Sequence, residues 1–346
     1  MAQPYTTANT TSSLSNTMST YYDKVFLERF KALLRFGIGA YMRKIPANSG
    51  KTIIFNRMAV PTLATIALTE GTNPAGSTLS TTQVTATIAE YGDFVQTSEI
   101  YAETSIDAGL KEQVEVMAQQ GAETANQLVR KVMTSFLTTP GSTIQRAGGA
   151  ATDGAILATA SFVLTGAEIR RAVRTLKLNK APTFEDAYYK SIIPVEAAYD
   201  LRGSTDWISA NTYVNADNWK NGKIGWLHGV MFYETNDSTV TAGGTGSATT
   251  NYVPSGTVTT ASLSITGGPT VTNIYETFVF GRQAYGIVEI QGADSGFDPV
   301  VILKKPNSND TSNPLNLYST IGWKIKFAAV MLNTLWSISI RSGATA

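Results

Sequence analysis

Apolar side chains recur at every third or fourth position in two segments of the N-terminal half, which is the spacing of an α-helix with one buried face. The first segment starts near Thr20, which is spaced from Asp23 as a helix-capping pair. The second covers residues 105–137 and would be about 50 Å long at about 1.5 Å per residue. A helix of that length exceeds what a small compact domain needs.

The segment before the long helix alternates between apolar and polar positions, which predicts β-strands. Residues 51–57 form a short β-branched run that ends before Pro61, and residues 83–100 form a longer run in which Gly92 is expected to mark a bulge. Roughly twenty residues between these runs carry turn signals and no helical period. The pattern therefore predicts a hairpin that projects from the protein.

Helix and strand patterns alternate in the middle of the chain, which indicates an α/β or α+β domain. Thr165 and Glu168 are spaced as a capping box at the start of a helix. A strand at residues 188–194, a short helix ending at Arg202 and a strand at residues 225–234 are predicted to follow.

Two further segments complete the organisation of the chain. Residues 237–273 are rich in Thr, Gly and Ser with almost no charge, which predicts an exposed excursion. Strand patterns then return at residues 299–305 and around Trp323 and Trp336. These strands are expected to pair with the earlier ones, so the middle segment would be an insertion between two halves of one base domain.

Composition narrows the possible classes of function. The 346 residues include 27 Lys and Arg against 26 Asp and Glu, so a formal net charge of +1 provides no global field for nucleic acid or membranes. Only 15% of residues are charged, which suggests that much of the surface faces neighbouring subunits. The absence of cysteine excludes disulfides and thiolate metal sites. Without a signal-like N-terminus or a long apolar run, the protein is expected to be made in the cytosol and to remain soluble, without membrane contact.

No combination of residues predicts catalysis. The single histidine, His228, lies in a strand pattern and has no Cys or second His with which to share a metal. No Gly-x-Ser-x-Gly motif surrounds a serine, and the pair Glu185-Asp186 lies in a polar loop where solvation is expected. The basic cluster at Arg170 and Arg171 is expected to line the wet face of a helix. The sequence therefore predicts no enzyme activity, no cofactor and no metal.

The tripeptide Gly50-Lys51-Thr52 raises the question of nucleotide binding, because it matches the end of a phosphate-binding P-loop. That motif needs a Gly at position 45, which is Ile here, and it must open a helix. The residues that follow Thr52 are instead typical of a strand. A loop leading into a strand is therefore the favoured interpretation.

Several short blocks occur in a fixed order over most of residues 20–340. They are Asn48-x-Gly50-Lys51-Thr52-Ile53-x-Phe55-x-Arg57, Pro61-x-Leu63-Ala64-Thr65, Leu68-Thr69-Glu70-Gly71-x-x-Pro74, Tyr91-Gly92-Asp93-Phe94-Val95, Asp200-Leu201-Arg202, Asn221-Gly222-Lys223-Ile224-Gly225, Gly229-Val230, Phe280-Gly281-x-x-Ala284-Tyr285-Gly286 and Gly322-Trp323-Lys324. No single block is very specific, but together the order resembles that in the N4-type major capsid proteins of tailed bacteriophages.

The resemblance implies an α+β fold of the Hong Kong 97 (HK97-like) capsid type, in which an extended hairpin is called the E-loop. The implied parts are an N-terminal arm at 1–19, a helix and linker at 20–50, the E-loop and its strands at 51–100, a peripheral domain with a long spine helix at 101–155, an inserted axial domain at 156–295 with 237–273 as a surface insertion, and return strands of the peripheral domain at 296–346.

The resemblance also implies which residues contact other subunits. The expected intersubunit residues of the E-loop are Leu63, Leu68, Thr69, Glu70, Gly71 and Pro74, and the expected base of the E-loop is Gly50, Lys51, Thr52 and Arg57. The implied partners are other copies of the chain in pentamers and hexamers, a portal, decoration proteins, and packaged double-stranded DNA through non-specific contact. The implied location is the virion, after synthesis in the cytoplasm of a bacterial host.

The sequence leaves a second class of structural protein as an alternative. The Thr- and Gly-rich stretches would also suit a β-structural protein of a phage tail or baseplate, or an adhesin.

Overall fold

A computed structural model of the chain describes residues 24–31, 33–46, 48–59, 61, 63, 65, 67, 70, 71, 76–104, 109–135, 143–150, 156, 162–207, 223–237, 240–242, 273–290, 299–304 and 317–344. The helices in these parts are α1 (residues 24–31), α2 (Glu99–Thr104), α3 (Gly109–Ser135), α4 (Gly166–Leu178) and α5 (Val195–Arg202).

The strands, in chain order, are β1 (Tyr41–Ile45), β2 (Thr52–Met58), β3 (Thr81–Thr87), β4 (Ala89–Ser98), β5 (Thr143–Arg146), β6 (Tyr189–Pro194), β7 (Lys223–Leu227), β8 (Val230–Thr235), β9 (Val240–Ala242), β10 (Asn273–Phe280), β11 (Tyr285–Ile290), β12 (Val300–Lys304), β13 (Tyr318–Met331) and β14 (Ser337–Ser342).

β13 is the central strand of a five-stranded sheet, because both of its edges are occupied. β4 runs antiparallel along one edge. β12 and β11 follow one another along the other edge, since Thr320 pairs with Lys304 and Phe327 pairs with Glu289. β1 adds a parallel strand beside β11. The alternating pattern around Trp323 therefore forms the middle of a sheet.

The long helix α3 packs on one face of this sheet. Alternate residues of β13, including Trp323 and Ile325, are buried in one core cluster with the apolar face of α3. The indole Nε1 of Trp323 donates a hydrogen bond to Gln120 Oε1 on the helix at 3.2 Å. Gly121 lies under the same ring, and a Cβ atom there would be 3.3 Å from it. A small residue on the helix thus allows the close approach of a large residue on the sheet.

A single asparagine on α3 holds the chain that leaves α1. The side-chain oxygen of Asn126 accepts hydrogen bonds from the backbone N–H groups of Arg35 and Phe36 at 3.0 and 3.1 Å. Its amide group donates to the carbonyl of Leu33 at 3.0 Å. Because Asn126 is buried, these bonds satisfy polar groups that would otherwise be costly to bury.

A seven-stranded sheet has the order β5-β14-β10-β6-β8-β7, with β9 beside β10. Both of its faces are covered. Phe278 and Ile192 on one face belong to the core cluster of α3, whereas Val279 and Ile338 on the other face pack with α4 and α5. The second core is therefore built between this sheet and the two short helices.

The C-terminal strands are distributed between the two sheets in a way that the sequence did not predict. β13 pairs with the early strand β4, as predicted, but β14 lies between β5 and β10 in the seven-stranded sheet. A short 3-10 turn at Thr334–Trp336 separates the two strands. β11 lies within the range assigned to the inserted domain, yet it pairs with β13 in the five-stranded sheet. The chain thus crosses between the sheets more often than a simple insertion would require.

Most of the predicted elements are confirmed in the described residues. α1, α3, α4 and α5 and strands β2, β6, β12 and β13 lie where the periodicity placed them. The capping pair Thr20–Asp23, the ends of the 105–137 helix and most of 237–273 lie outside the described residues.

Three local predictions are wrong. The 83–100 run divides at Ile88 into β3 and β4, which pair with different partners, and residues 99 and 100 are helical. The register of β4 passes through Gly92 without a bulge; a Cβ atom at Gly92 would lie 2.5 Å from the Trp323 carbonyl oxygen. The 225–234 run is two strands, because His228 and Gly229 form a turn with φ of +51° and +82°.

The capping box predicted at the start of α4 does not form the expected hydrogen bonds. Thr165 is the N-cap residue, but its side chain makes no capping hydrogen bond. The carboxylate of Glu168 instead accepts hydrogen bonds from Gln145 Nε2 at 2.6 Å and from the backbone of Gly148 at 3.2 Å. Glu168 is therefore used to hold β5 and the following turn against the helix.

Candidate functional site

The strands β2 and β3 form an antiparallel hairpin whose register indicates where its turn lies. Thr52 pairs with Thr87 and Met58 with Thr81, and the backbone of Ala59 still donates to Ser80. The residue numbers of each pair add up to 139, so the midpoint falls between residues 69 and 70. A turn lies there, at Glu70 and Gly71, and Gly71 has a φ of +77° that favours glycine. The structure therefore places Glu70 at the tip of a long hairpin.

The described residues in the outer part of this hairpin are not part of a core within their own chain. Every described residue from 56 to 83 is exposed, and the side chains of Leu63 and Leu79 are 77% and 64% exposed. Burial begins only at the base, where Phe55 and Ala86 join a small core cluster with the five-stranded sheet. The hairpin is thus anchored at its base, and its described residues from 56 to 83 are not buried against their own subunit.

The residues predicted for the hairpin tip are only partly described. Leu63 is strongly exposed, and Glu70 and Gly71 form the turn. Leu68, Thr69 and Pro74 lie outside the described residues.

Of the predicted base residues, Gly50, Lys51 and Thr52 lie where the chain enters β2, whereas Arg57 lies five positions further along that strand. Gly50 has a φ of +84° and open space around it, so its conformation rather than its surroundings requires glycine. The carbonyl of Lys51 accepts a hydrogen bond from the backbone of Ile88 at 2.8 Å, while its side chain is exposed. Thr52 begins a strand and not a helix, which confirms that Gly50-Lys51-Thr52 lacks the setting of a P-loop.

A cleft of about 240 Å³ lies beside Phe55 and Arg57 in the inner part of the hairpin. Its lining comes from β1, β2, β3 and the segments around Gln283 and Asn333, and consists of Tyr41, Arg43, Phe55, Asn56, Arg57, Val84, Gln283, Leu332, Asn333 and Trp336. The guanidinium of Arg43 lies 5.5 Å from the centre of the Phe55 ring, a cation–π distance. The sequence analysis included Arg57 in the base but gave no signal for the cleft, which depends on segments far apart in the chain.

The outer face of the five-stranded sheet exposes a second apolar feature that the sequence did not reveal. Phe94 and Ile302 both pair with Gly322, so their side chains flank the glycine on the face away from α3. Phe94 is 61% exposed and Ile302 is 40% exposed. Lys324 and Lys326 lie on the same face with their amino groups 3.9 and 3.8 Å from the carboxylate of Glu90.

A buried ion pair connects α3 to the start of the 237–273 excursion. Arg130 Nη1 lies 2.6 Å from Asp237 Oδ1, and both side chains are largely buried. Burial raises the pKa of Asp237 above its ordinary value, and the nearby charge of Arg130 opposes this shift. An arginine on an otherwise apolar helix face was the only sequence signal for this pair.

The candidate chemical residues are not arranged as an active site. His228 Nε2 lies 3.5 Å from Asp206, and Glu185 and Asp186 are exposed, as are Arg170 and Arg171. Among the residues that the structure describes, no cluster of three or more His, Cys, Asp or Glu residues could hold a metal. Within the same parts of the chain, no helix has the length and hydropathy needed to cross a membrane.

No family model and no curated protein sequence matches the chain. Solved structures do match it. A chain of the capsid of Ralstonia phage GP4 has a TM-score of 0.61 at 12% identity, over 91% of this chain and 92% of that chain. A capsid chain of Helicobacter pylori bacteriophage KHP30 has a TM-score of 0.58 at 10% identity, with 91% of each chain covered. A capsid chain of cyanophage P-SCSP1u has a TM-score of 0.55 at 16% identity, over 89% and 87%.

These matches cover nearly the entire length of the chains on both sides. The protein therefore has the mixed α+β fold of phage capsid chains, consistent with the HK97-like fold that the sequence resemblance implies. The assignment to the N4-type group stays a prediction.

Proposed function

We propose that this chain is a phage major capsid protein whose copies self-assemble into pentamers and hexamers of an icosahedral head shell around double-stranded DNA. The observation that carries the proposal is the exposed hairpin, because every described residue from 56 to 83 lacks burial in its own subunit. The capsid fold and the low content of charged residues support the same function.

The hairpin serves as an intersubunit element in this proposal. An aliphatic side chain gains about 1.5–3 kcal/mol when it is fully buried, and Leu63 gains almost none of this within its own chain. Burial of Leu63 and Leu79 against a neighbouring copy would provide that free energy. The proposed contact residues are Leu63, Leu68, Thr69, Glu70, Gly71 and Pro74, with Gly50, Lys51, Thr52 and Arg57 at the base.

Assembly follows from geometry rather than from chemistry at an active site. A hairpin that projects from one side of a subunit makes a heterologous contact, in which two different surfaces meet, and such contacts form rings when the rotation closes. Each copy then takes part in several modest contacts, and simultaneous engagement makes the shell stable.

The remaining parts are assigned by analogy with the capsid fold. Residues 1–19 act as an N-terminal arm, α3 as the spine helix, and residues 156–295 as an axial domain with 237–273 as a surface insertion. A portal, decoration proteins and the packaged DNA are proposed as further partners, and the virion as the location, after synthesis in the bacterial cytoplasm.

Negative-stain electron microscopy of the purified protein tests the proposed function. Closed shells, or hexamers and pentamers that form them, are expected. Tubes, fibres or spikes would instead support a tail, baseplate or adhesin protein and would contradict the proposal.

A further inference from the structure

The cleft at the base of the hairpin contains two arginines that have no acidic partner in the described parts of the subunit. The guanidinium of Arg43 lies over the Phe55 ring, and Arg57 lines the same cleft; both arginines are exposed. The lining includes no Asp or Glu, whereas Tyr41, Asn56 and Gln283 and their neighbours add polar groups. The cleft is therefore a cationic site with hydrogen-bonding groups and an aromatic wall.

The size of the cleft limits what it can bind. Its volume of about 240 Å³ corresponds to about eight waters at about 30 Å³ each. Pockets for small molecules and cofactors usually have roughly 300–1,000 Å³. A single carboxylate side chain fits within this volume and matches the charge, because a guanidinium binds a carboxylate with two parallel hydrogen bonds.

The hairpin itself carries one carboxylate of this kind. Glu70 is the only charged residue between Arg57 and Glu90. Its side chain is exposed at the tip, and no cation among the described residues pairs with it. The tip and the cleft thus carry opposite, unsatisfied charges.

The hairpin geometry keeps the Glu70 of one subunit out of that subunit's own cleft. Arg57 pairs with Thr82, Met58 pairs with Thr81, and the backbone of Ala59 donates to Ser80, so the two strands run outward from the cleft at this point. Glu70 is 13 positions beyond Arg57, which in extended chain is up to about 45 Å. A Glu70 carboxylate that enters the cleft therefore comes from another molecule, and a second copy supplies it in the same stoichiometry.

We propose that the cleft of one subunit, through Arg43 and Arg57, binds the carboxylate of Glu70 at the hairpin tip of a second copy. This inference rests on the proposed function and names the partner surface of the hairpin. Since tip and cleft lie at opposite ends of the same hairpin, the contact is heterologous. Each copy can insert its hairpin tip into the cleft of one neighbour and bind the tip of another neighbour in its own cleft.

A double-mutant cycle on assembly tests the pairing. Glu70→Gln and Arg57→Gln are each expected to raise the protein concentration needed for assembly by roughly tenfold, a typical effect of losing a partly buried charge-assisted pair. The combined variant is expected to be no worse than either single one, because both remove the same contact. Lys177→Gln is the matched control, since Lys177 is an exposed cation on α4 that does not line the cleft.

A cysteine cross-link tests the same contact without removing the charges. The chain has no cysteine, so Asn56→Cys in the cleft and Thr69→Cys beside Glu70 introduce the only thiols. Mild oxidation of assembled particles is expected to give ladders of covalently linked chains on a non-reducing gel. The pair Lys177→Cys with Thr69→Cys is expected to cross-link at least several times less, because Lys177 is exposed but does not line the cleft.

The outcomes separate the two proposals. If the wild-type chain forms no shells, the proposed function fails and this inference fails with it. If shells form but the Glu70 and Arg57 effects are additive, or the ladder does not exceed its control, the cleft does not receive the hairpin tip. In that case the proposed function stands.

Discussion

Asp237 Oδ1 lies 2.6 Å from the guanidinium of Arg130, and the pair joins the C-terminal part of the long helix α3 to the residue at which the 237–273 excursion begins. The exposed fractions of the two side chains are 14% and 4%. Two buried charges of this kind are costly to separate, because each would remain desolvated without its partner.

Arg130→Met is therefore expected to lower the free energy of unfolding by about 3–5 kcal/mol, the usual cost of leaving a buried charge without its partner. Its exposed neighbour on the same helix provides the control, since Lys131→Met is expected to change stability by about 0.5 kcal/mol or less. Urea denaturation of both variants measures the difference. Equal stabilities would show that the pair does not anchor the excursion.

The raised pKa of Asp237 gives a pH dependence of definite sign. A carboxyl group whose folded pKa lies above its unfolded value of 3.8 contributes most stability when protonated. The contribution is full below that value and is lost as the pH rises through the folded pKa. Relative to Asp237→Asn, the wild type is expected to lose stability as the pH is raised above about 3.8. Denaturation curves at a series of pH values measure this difference, and an opposite slope contradicts the prediction.

Gly92 is expected to tolerate no side chain, although its backbone conformation is ordinary. A Cβ atom there would lie 2.5 Å from the carbonyl oxygen of Trp323 on β13. Gly92→Ala should therefore displace β4 and cost about 1–3 kcal/mol, as overpacking usually does. Gly76→Ala is the control, because a Cβ atom at Gly76 meets nothing within 4 Å. Thermal melts compare the two variants. An unchanged melting temperature for Gly92→Ala would contradict the close pairing of β4 with β13 at this position.

Replacing residues 61–79 with a short turn is expected to leave the subunit folded but unable to form shells. The described residues in this range are all exposed, so their removal deletes no core contact. The far-ultraviolet circular dichroism and the melting temperature should change little. Phe55→Ala at the buried base should instead cost about 3–5 kcal/mol. A deletion variant that still forms closed particles, or one that does not fold, contradicts the role of the hairpin.

Lys51 is expected to bind no nucleotide. The backbone around it belongs to the base of a hairpin, and no helix N-terminus follows to bind phosphate. Calorimetric titration with ATP and magnesium should give no binding heat for the wild type or for Lys51→Ala. Micromolar binding that is lost in Lys51→Ala would reverse this interpretation.

The parts of the fold that depend on neighbouring residues in the chain were predictable from the sequence. The apolar face of α3 repeats with the helical period, and β2, β6 and β13 alternate with the period of a strand. The turn signals between β2 and β3 predicted the projecting hairpin, with Glu70 as its single charge. Each of these features is encoded by residues within a few turns or strand pairs of one another.

The features that join distant segments were decided only by the tertiary structure. β14 has the same alternation as β13, yet it lies in the other sheet, because strand partners depend on which surfaces remain to be buried and not on local pattern. The cleft unites Arg43 and Arg57 with Gln283 and Asn333 from the far end of the chain. The charge pattern alone named Glu70 as a candidate for pairing. The surface that could receive it exists only after the chain has folded, because no local stretch of sequence contains its walls.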